Sequence, residues 1–459
     1  MYNTYYVGEF MDFIDRKQEI EQLHELEKRN SFFLVVKGRR RIGKTSLLLR
    51  AYPHAHYLFV GSSYSESELA EEYCEKHSLP KVSTFRDLIM LLLRDNKPII
   101  IDEFQNLLTV DKKLFSTMQE LYDENKNQMK LALCGSSYTL MTRIFSSSAS
   151  PLYGRKTAEL TIQNLPFKAL AESLPYEFEE MLKFWFVFSG IPYYYTLIEE
   201  LKWPAFEKGV EMLFFSSLAP LKTEGKAVSA IEAGKEGKVL STLFSAVAKG
   251  KTKFNEIAGA YGNDNKKASR YLEWALNETA FVRKAKPLLG KGEYRYYIQD
   301  PLLLFWYGYV QKFNEEIEKN EFDAPKQYFK ENISSFMGIQ FENFIEQHAK
   351  TLLPMEWSSI GKQWGKQRDS KESYEIDLVA LNEKTGIIGY AECKWKKEVN
   401  AKEIMAGLLE KSQNVAKEKA MEGIFILFAK SFSKKISEFE GKTVHCIDLK
   451  EIERKIRGP

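Results

Sequence analysis

The sequence predicts an α/β chain of several domains that opens on a parallel sheet, and three observations predict it. A short apolar run, FFLVVK at 32–37, ends in a glycine-bounded turn and passes at once into an apolar helical pattern through Leu47, Leu48 and Leu49. Strand-like runs recur at 57–60, 98–101 and 130–134, with helical segments between them, for example 66–77 and 84–94. Alternation of this kind builds parallel strands covered by helices on both faces. Finally, the 459 residues give room for about three domains. They are 44 % apolar and 14 % aromatic, which supports large cores and excludes a disordered, collagen-like or disulfide-stapled chain.

Lys and Arg total 66 against 63 Asp and Glu, a net charge of +3, so overall charge does not by itself name a nucleic-acid partner. Cys74, Cys134, Cys393 and Cys446 form no CxxC pair, and the six histidines form no HExxH. That usage fits a reducing interior. The first 17 residues lack the basic start and apolar core of a leader. The longest uncharged stretch, Phe184 to Ile198, is 15 residues and contains Gly190-Ile191-Pro192; a membrane helix needs about 20. A cytoplasmic protein with no membrane partner is expected.

Five segments are expected along the chain: 1–160 around the first sheet, a helical lid at 161–232, a winged helix-turn-helix at 233–311, a polar linker at 312–334, and a second α/β domain at 335–459.

Gly38-Arg39-Arg40-Arg41-Ile42-Gly43-Lys44-Thr45 matches GxxxxGK[ST] in full, with Ser46 next, a strand before it and a helix after it. Such a loop wraps phosphates with backbone N–H groups at a helix N-terminus. Lys44 is expected to reach the β- and γ-phosphates and Thr45 to hold Mg²⁺, so Mg·ATP is the expected ligand. The run Pro98-Ile-Ile-Ile delivers Asp102 and Glu103 to a strand end, 57 residues after Thr45. Asp102 is expected to meet the metal through water, and Glu103 to act as general base. In Cys134-Gly135-Ser136-Ser137, the Ser136 hydroxyl either senses the γ-phosphate or its water, or merely serves a turn. Arg155 either steadies charge on the transferred phosphoryl group, in its own subunit or a neighbour's, or is a surface or sheet-capping residue.

These segments, FIDRKQEIEQL (13–23), GRRRIGKTSLL (38–48), PIIIDEFQNL (98–107), CGSSYTLM (134–141), PLYGR (151–155) and SGIPYY (189–194), together resemble the archaeal-type ATPases, a branch of the STAND-like and AAA-related P-loop proteins. The resemblance covers roughly 10–310. It implies that the opening segment with Arg16 packs near the adenine and that Pro192 belongs to the helical lid. Asp15 stands where relatives usually carry glycine, and Ser189 replaces the first glycine of Gly-Gly-x-Pro.

Residues 253–283 read as helix, glycine-containing turn and helix, followed by strand runs about Gly290-Lys291-Gly292, the pattern of a winged helix. The second helix is expected from about Lys266 to Asn277, with Ala268, Tyr271, Leu272 and Ala275 facing the core. Lys266, Lys267 and Arg270 are then placed either for DNA phosphates or on a face used for protein contacts or nucleotide-state coupling. Glu273 and Glu278 weaken the basic face.

Pairing of 376–381 with 387–394, centred near 384–385, sets Asp377 opposite Glu392, with Lys394 on the same face as Glu392. Carboxylates suit Mg²⁺, and the lysine can orient water or steady phosphate charge. This D…ExK arrangement resembles the PD-(D/E)xK nuclease fold over about 335–450, although Ile376 stands where the fold's proline would. Glu342 matches that fold's helix acid, and Glu346 lies one turn further. A helix at 402–418 and a strand at 423–428 follow as the fold requires. The segment also resembles the domain of unknown function that trails archaeal-type ATPases.

The expected whole is a Mg·ATP hydrolase that regulates DNA binding or metal-dependent cleavage by its C-terminal domain, with homo-oligomers allowed. The rival readings are a STAND-like ATP-driven assembly switch and a DNA-binding regulator with an inactive nuclease fold.

Overall fold

The computed structural model describes residues 13–233, 237–277, 279, 281–290, 292–367, 372–415 and 421–458. The segment read above for a leader lies mostly outside them, as do Glu278 and Lys291. The chain forms two compact units. One holds the chain through Ala169 with Gly190–Trp203 and Ala227–Gly237; the other holds Leu170–Ser189, Pro204–Lys226 and the chain from Lys238 onward. The residues expected as a lid at 161–232 are thus shared between the two units.

The first unit is built on β1 (Phe32–Lys37), β2 (His56–Phe59), β3 (Ile99–Asp102), β4 (Lys130–Cys134) and β5 (Ala158–Thr161). They run parallel in the order β2-β3-β4-β1-β5. Every residue of β1 and β3 is buried, because helices cover both faces of the sheet. Helices Glu66–Lys76, Phe85–Leu92 and Leu114–Asn125 contribute Leu69, Tyr73, Phe85, Leu88, Met118 and Leu121 to the core on one side. Ser65 and Thr84 cap the first two of these helices, each accepting a backbone N–H of the first turn. β5 has no sequence signal: AELT alternates between half-buried and exposed, since only β1 flanks it.

Gly190 is where the motif SGIPYY meets this unit. Its carbonyl accepts the Leu165 N–H at 2.8 Å. An added Cβ would lie 2.7 Å from the Leu165 nitrogen and would overlap the Leu165 carbonyl oxygen. Gly190→Ala is therefore expected to destabilise the fold by about 3 kcal/mol, read as a lower denaturation midpoint; an unchanged midpoint would show that the backbone yields there.

The second unit contains a mixed six-stranded sheet whose strands stand in the order Glu438–Phe439, Lys442–Asp448, Glu422–Ala429, Ile387–Lys394, Ser373–Asn382 and Ser359–Lys366. Ahead of it come the hairpin strands β6 (Val282–Ala285) and β7 (Arg295–Ile298). The sheet itself comprises β8 (Ser359–Lys366), β9 (Ser373–Asn382), β10 (Ile387–Lys394), β12 (Glu422–Ala429), β14 (Glu438–Phe439) and β15 (Lys442–Asp448). Two short strands, β11 (Val399–Asn400) and β13 (Phe432–Lys434), pair apart from it. β8, β9 and β10 form an antiparallel meander, whereas β10, β12 and β15 are parallel. Helix Ala401–Gln413 sets Met405 and Leu408 against Ile376, Tyr390, Phe425 and Leu427.

Residues 312–334, read as a linker from their polarity, hold helix Asn314–Glu318 and the first half of the 25-residue helix Asp323–Gln347. Phe329 and Phe336 lie on that helix seven residues apart and so share a face; the Phe305 ring centroid lies 6.1 and 5.6 Å from theirs. In the middle segment, helix Asn265–Asn277 buries Ala268, Tyr271, Leu272 and Ala275 and exposes Lys266, Lys267 and Arg270, as the spacing predicts.

Candidate functional sites

Gly38 through Ser46 run from the end of β1 into helix Lys44–Ala51, at the C-terminal edge of the sheet where ligands bind in open α/β folds. Gly43, just ahead of the helix, has φ +90°, a left-handed conformation that favours glycine. Ile42 is buried beneath the loop. The Lys44 ammonium group donates to the carbonyls of Gly38 and Arg39, both at 3.0 Å, and so spans the loop it belongs to. Arg41, itself at φ +68°, lays its guanidinium 4.0 Å from the Tyr193 ring centroid. Tyr193 follows Pro192, the first residue of helix Pro192–Glu200, so this cation–π contact ties the loop to the SGIPYY segment. Arg16 immediately precedes helix Lys17–Glu27, bonds Glu19 at 2.8 Å and donates to the Gln163 carbonyl at 2.6 Å, just beyond the end of β5.

Asp102 is the hub. Its Oδ2 accepts from Thr45 Oγ1 at 2.7 Å and from the Tyr57 hydroxyl at 2.9 Å. Its Oδ1 accepts from the Glu103 N–H at 2.9 Å and from Cys134 Sγ at 3.0 Å. β4 lies between β1 and β3, and its last residue, Cys134, is thus placed to donate to Asp102 at the end of β3. Burial, and then the Asp102 charge, push the Cys134 thiol well above its ordinary pKa and keep it a donor. Glu103, at φ +53°, has its Oε2 held by Ser136 Oγ at 2.7 Å and by the Gln105 side-chain amide. A hydroxyl and a carboxylate in hydrogen-bond contact at the loop are hard oxygen donors of the kind Mg²⁺ takes, so these residues fit the expected ion.

Arg155 is placed elsewhere. It precedes β5, next to Thr157, which bonds Phe33 at the first turn of β1, whereas the phosphate loop follows Lys37 at the other end. Its guanidinium grips Asp123 at 2.9–3.2 Å. Arg155 thus stands near the start of β1 and the phosphate loop beyond its end, four residues of β-strand or about 13 Å apart along the strand.

In the second unit, the β9–β10 register pairs Ala391 with Leu378, and its continuation sets Asp377 opposite Glu392. Asp377 Oδ2 accepts the Cys393 N–H at 2.8 Å. Burial, followed by Glu342 and Glu392, pushes the Asp377 carboxyl up to about 7, against the pull of Cys393 and Lys394. Glu392 receives Lys394 at 2.7 Å and Lys411 at 2.9 and 3.0 Å, one bond to each oxygen. Glu342 receives the buried Lys362 at 3.0 Å, and Glu346 receives Arg283 at 2.9 and 3.3 Å. Burial opposes the charge of Lys362, but the Glu342 carboxylate outweighs it and raises the lysine's pKa.

Arg283 comes from β6, and its hairpin is docked on β8. Leu288 N–H donates to the Lys362 carbonyl at 3.0 Å, and Gln363 exchanges bonds with the Leu289 backbone at 2.9 and 3.2 Å. The sheet edge at β8 is thereby covered. Both Glu392 oxygens carry ammonium groups, so a Mg²⁺ ion expected on Asp377 and Glu392 would have to share that carboxylate with Lys394 and Lys411. Among the described residues no group of three or more His, Cys, Asp or Glu side chains is arranged to hold a metal ion.

With this geometry in view, a family described as an ATPase domain predominantly from Archaea matches residues 13–196. A second, described as archaeal and bacterial proteins of unknown function, matches residues 306–404. The uncharacterized protein MJECL04 of Methanocaldococcus jannaschii is 30 % identical over 428 residues, covering 88 % of this chain and 92 % of that one. The chain belongs to the same family as that protein.

It carries an archaeal-type ATPase domain at the front and the domain of unknown function behind it. Among solved structures, the Walker-type ATPase PABY2304 of Pyrococcus abyssi is similar at TM-score 0.48 and 18 % identity, covering 64 % of this chain and 96 % of that one. The ORC2 protein of Aeropyrum pernix is similar at TM-score 0.39 and 14 % identity, over 69 % and 97 %. No helix among the described residues is long and apolar enough to cross a membrane.

In this archaeal-type ATPase the structure brings Gly38–Ser46, Asp102, Glu103 and Ser136 to one edge of the first sheet. It also gathers Glu342, Asp377, Glu392 and Lys394 about β9 and β10. Sequence reasoning missed Tyr57, Gln105, Lys362, Lys411 and Arg283. A tyrosine leading the apolar run 57–60 was a signal for the first; the lysines carry none, since nothing in their spacing sets Lys362 or Lys411 apart from the chain's other lysines.

Proposed function

We propose that this protein binds and hydrolyses Mg·ATP at the loop Gly38–Thr45 and that its nucleotide state controls how the C-terminal domain engages nucleic acid. The observation that carries the reading is the 2.7 Å bond from Thr45 Oγ1 to Asp102 Oδ2, which joins the loop to the acid pair of β3. Thr45 and Asp102 would hold the magnesium ion, which would neutralise phosphate charge when bound. Lys44 leaves its two carbonyls for the β- and γ-phosphates. Glu103 takes the proton of the attacking water, and Ser136 keeps that carboxylate aimed. Arg16 and Pro192 border the adenine side.

The middle segment serves as a winged helix whose exposed Lys266, Lys267 and Arg270 meet DNA phosphates or pass on the nucleotide state. The C-terminal unit runs helix, antiparallel meander, helix and parallel strand, an order that supports the PD-(D/E)xK nuclease-like reading, in which it grips nucleic acid through its lysines.

The test is phosphate release by the full chain with Mg²⁺ or EDTA, with and without duplex DNA, beside plasmid cleavage by the parent chain and Asp377→Ala. Metal-dependent turnover that changes at least about twofold with DNA is expected. Absence of turnover overturns the ATPase reading. Cleavage lost in Asp377→Ala would add phosphodiester hydrolysis to the function, and its absence from the parent chain leaves gripping alone.

The position of Arg155 favours a second reading, an ATP-driven assembly switch in which this arginine serves a neighbouring copy's nucleotide. Oligomer mass with and without ATP distinguishes it: ATP-induced assembly supports the switch, and an unchanged mass removes it.

A further inference from the structure

Lys411 lies outside the D…ExK spacing, yet it makes the more extensive contact with Glu392. We propose that Lys394 and Lys411 form a seat for one backbone phosphate of nucleic acid, and that this seat fills without a divalent ion. The inference rests on the reading that the second unit engages nucleic acid; it names the residues and the ligand group.

The Glu392 side chain is only 7 % exposed, whereas those of Lys394 and Lys411 are 39 % and 34 % exposed. The carboxylate thus works from beneath as an anchor that holds two cations at a fixed spacing. Lys394 gives one N–H to it and Lys411 gives two. Each ammonium group has three donors, so three of the six remain for a ligand with acceptor oxygens. The local balance of two ammonium groups and one carboxylate is a single positive charge, matched by one phosphodiester.

A divalent cation approaching Glu392 meets instead two ammonium groups within 3.0 Å of its oxygens and is repelled by both. The neighbouring acids do not reverse this sign. Glu342 is paired with Lys362 and Glu346 with Arg283, while Asp377, tied to the Cys393 N–H, at most offsets the remaining positive charge when ionised. Beyond the end of β10, Lys396 is exposed and adds positive charge beside the seat, while the exposed Lys397 lies 3.8 Å from Glu179.

The test is the affinity of the full chain for a 20-base-pair duplex, read by fluorescence anisotropy over a salt series in EDTA and in Mn²⁺, for the parent chain, Lys411→Met and Lys411→Arg. The parent chain is expected to bind in EDTA. Lys411→Met should weaken binding at least about fivefold and lower the salt slope by about one counter-ion; Lys411→Arg should stay within about twofold, because it keeps the charge and the donors. Melting midpoints show that both variants are folded. The seat is overturned if Lys411→Met binds with the parent's affinity and slope, or if the parent chain binds only when Mn²⁺ is present. If the parent chain binds no duplex under either condition, the nucleic-acid reading falls and the seat with it.

Discussion

Lys44→Ala is expected to lower ATP turnover at least about a hundredfold, with nucleotide binding lost or sharply weakened. The Lys44 ammonium group is held 3.0 Å from two carbonyls of its own loop, already within the turn that would wrap the phosphates. Alanine removes the charge and the donors together, while the helix that starts there keeps a good helix former. Titration with a fluorescent nucleotide and a phosphate-release assay separate binding from chemistry. Hydrolysis at the parent rate would remove this loop from the reaction.

Glu103→Gln should separate the same two quantities. The glutamine keeps a side-chain oxygen for the Ser136 hydroxyl, which now holds the Glu103 carboxylate at 2.7 Å, so the site keeps its shape and ATP affinity is expected to change less than about threefold. An amide cannot take the proton of the attacking water, and turnover should fall by about two to four orders of magnitude. Retained binding with stalled hydrolysis assigns the base to Glu103. Unchanged turnover would pass that role to another residue and leave the bond from Ser136 as a structural clasp. Ser136 itself is placed by Gly135, where any Cβ would lie 2.7 Å from Met141 Sδ and would overlap the Gln105 side-chain oxygen.

Much of the first sheet was readable because its strands are buried on both faces and stand as unbroken apolar runs. β1, β3 and β4 fall within a residue of the sequence-based expectation. The hairpin of β9 and β10 was readable for a different reason: its turn at 382–386 sets the register, and the register decides which side chains oppose. β5 was missed because an edge strand with one neighbour needs no apolar run. The helices within 312–334 were not readable from their polarity, because a helix needs only one apolar face, supplied here by Phe329 and, just beyond this stretch, Phe336.

The sequence by itself determined the phosphate loop, the acid pair that follows it, the opposition of Asp377 to Glu392 and the core face of helix Asn265–Asn277. Each of these is set by local spacing along one loop, strand pair or helix. Only the tertiary structure decided that Arg155 lies at the far end of the sheet with Asp123, that Asp102 gathers Thr45, Tyr57 and Cys134, and that Lys411 and Lys394 share Glu392. These contacts join residues from separate elements, and which charges meet across such distances is set by how sheets and helices pack, which residue spacing does not encode.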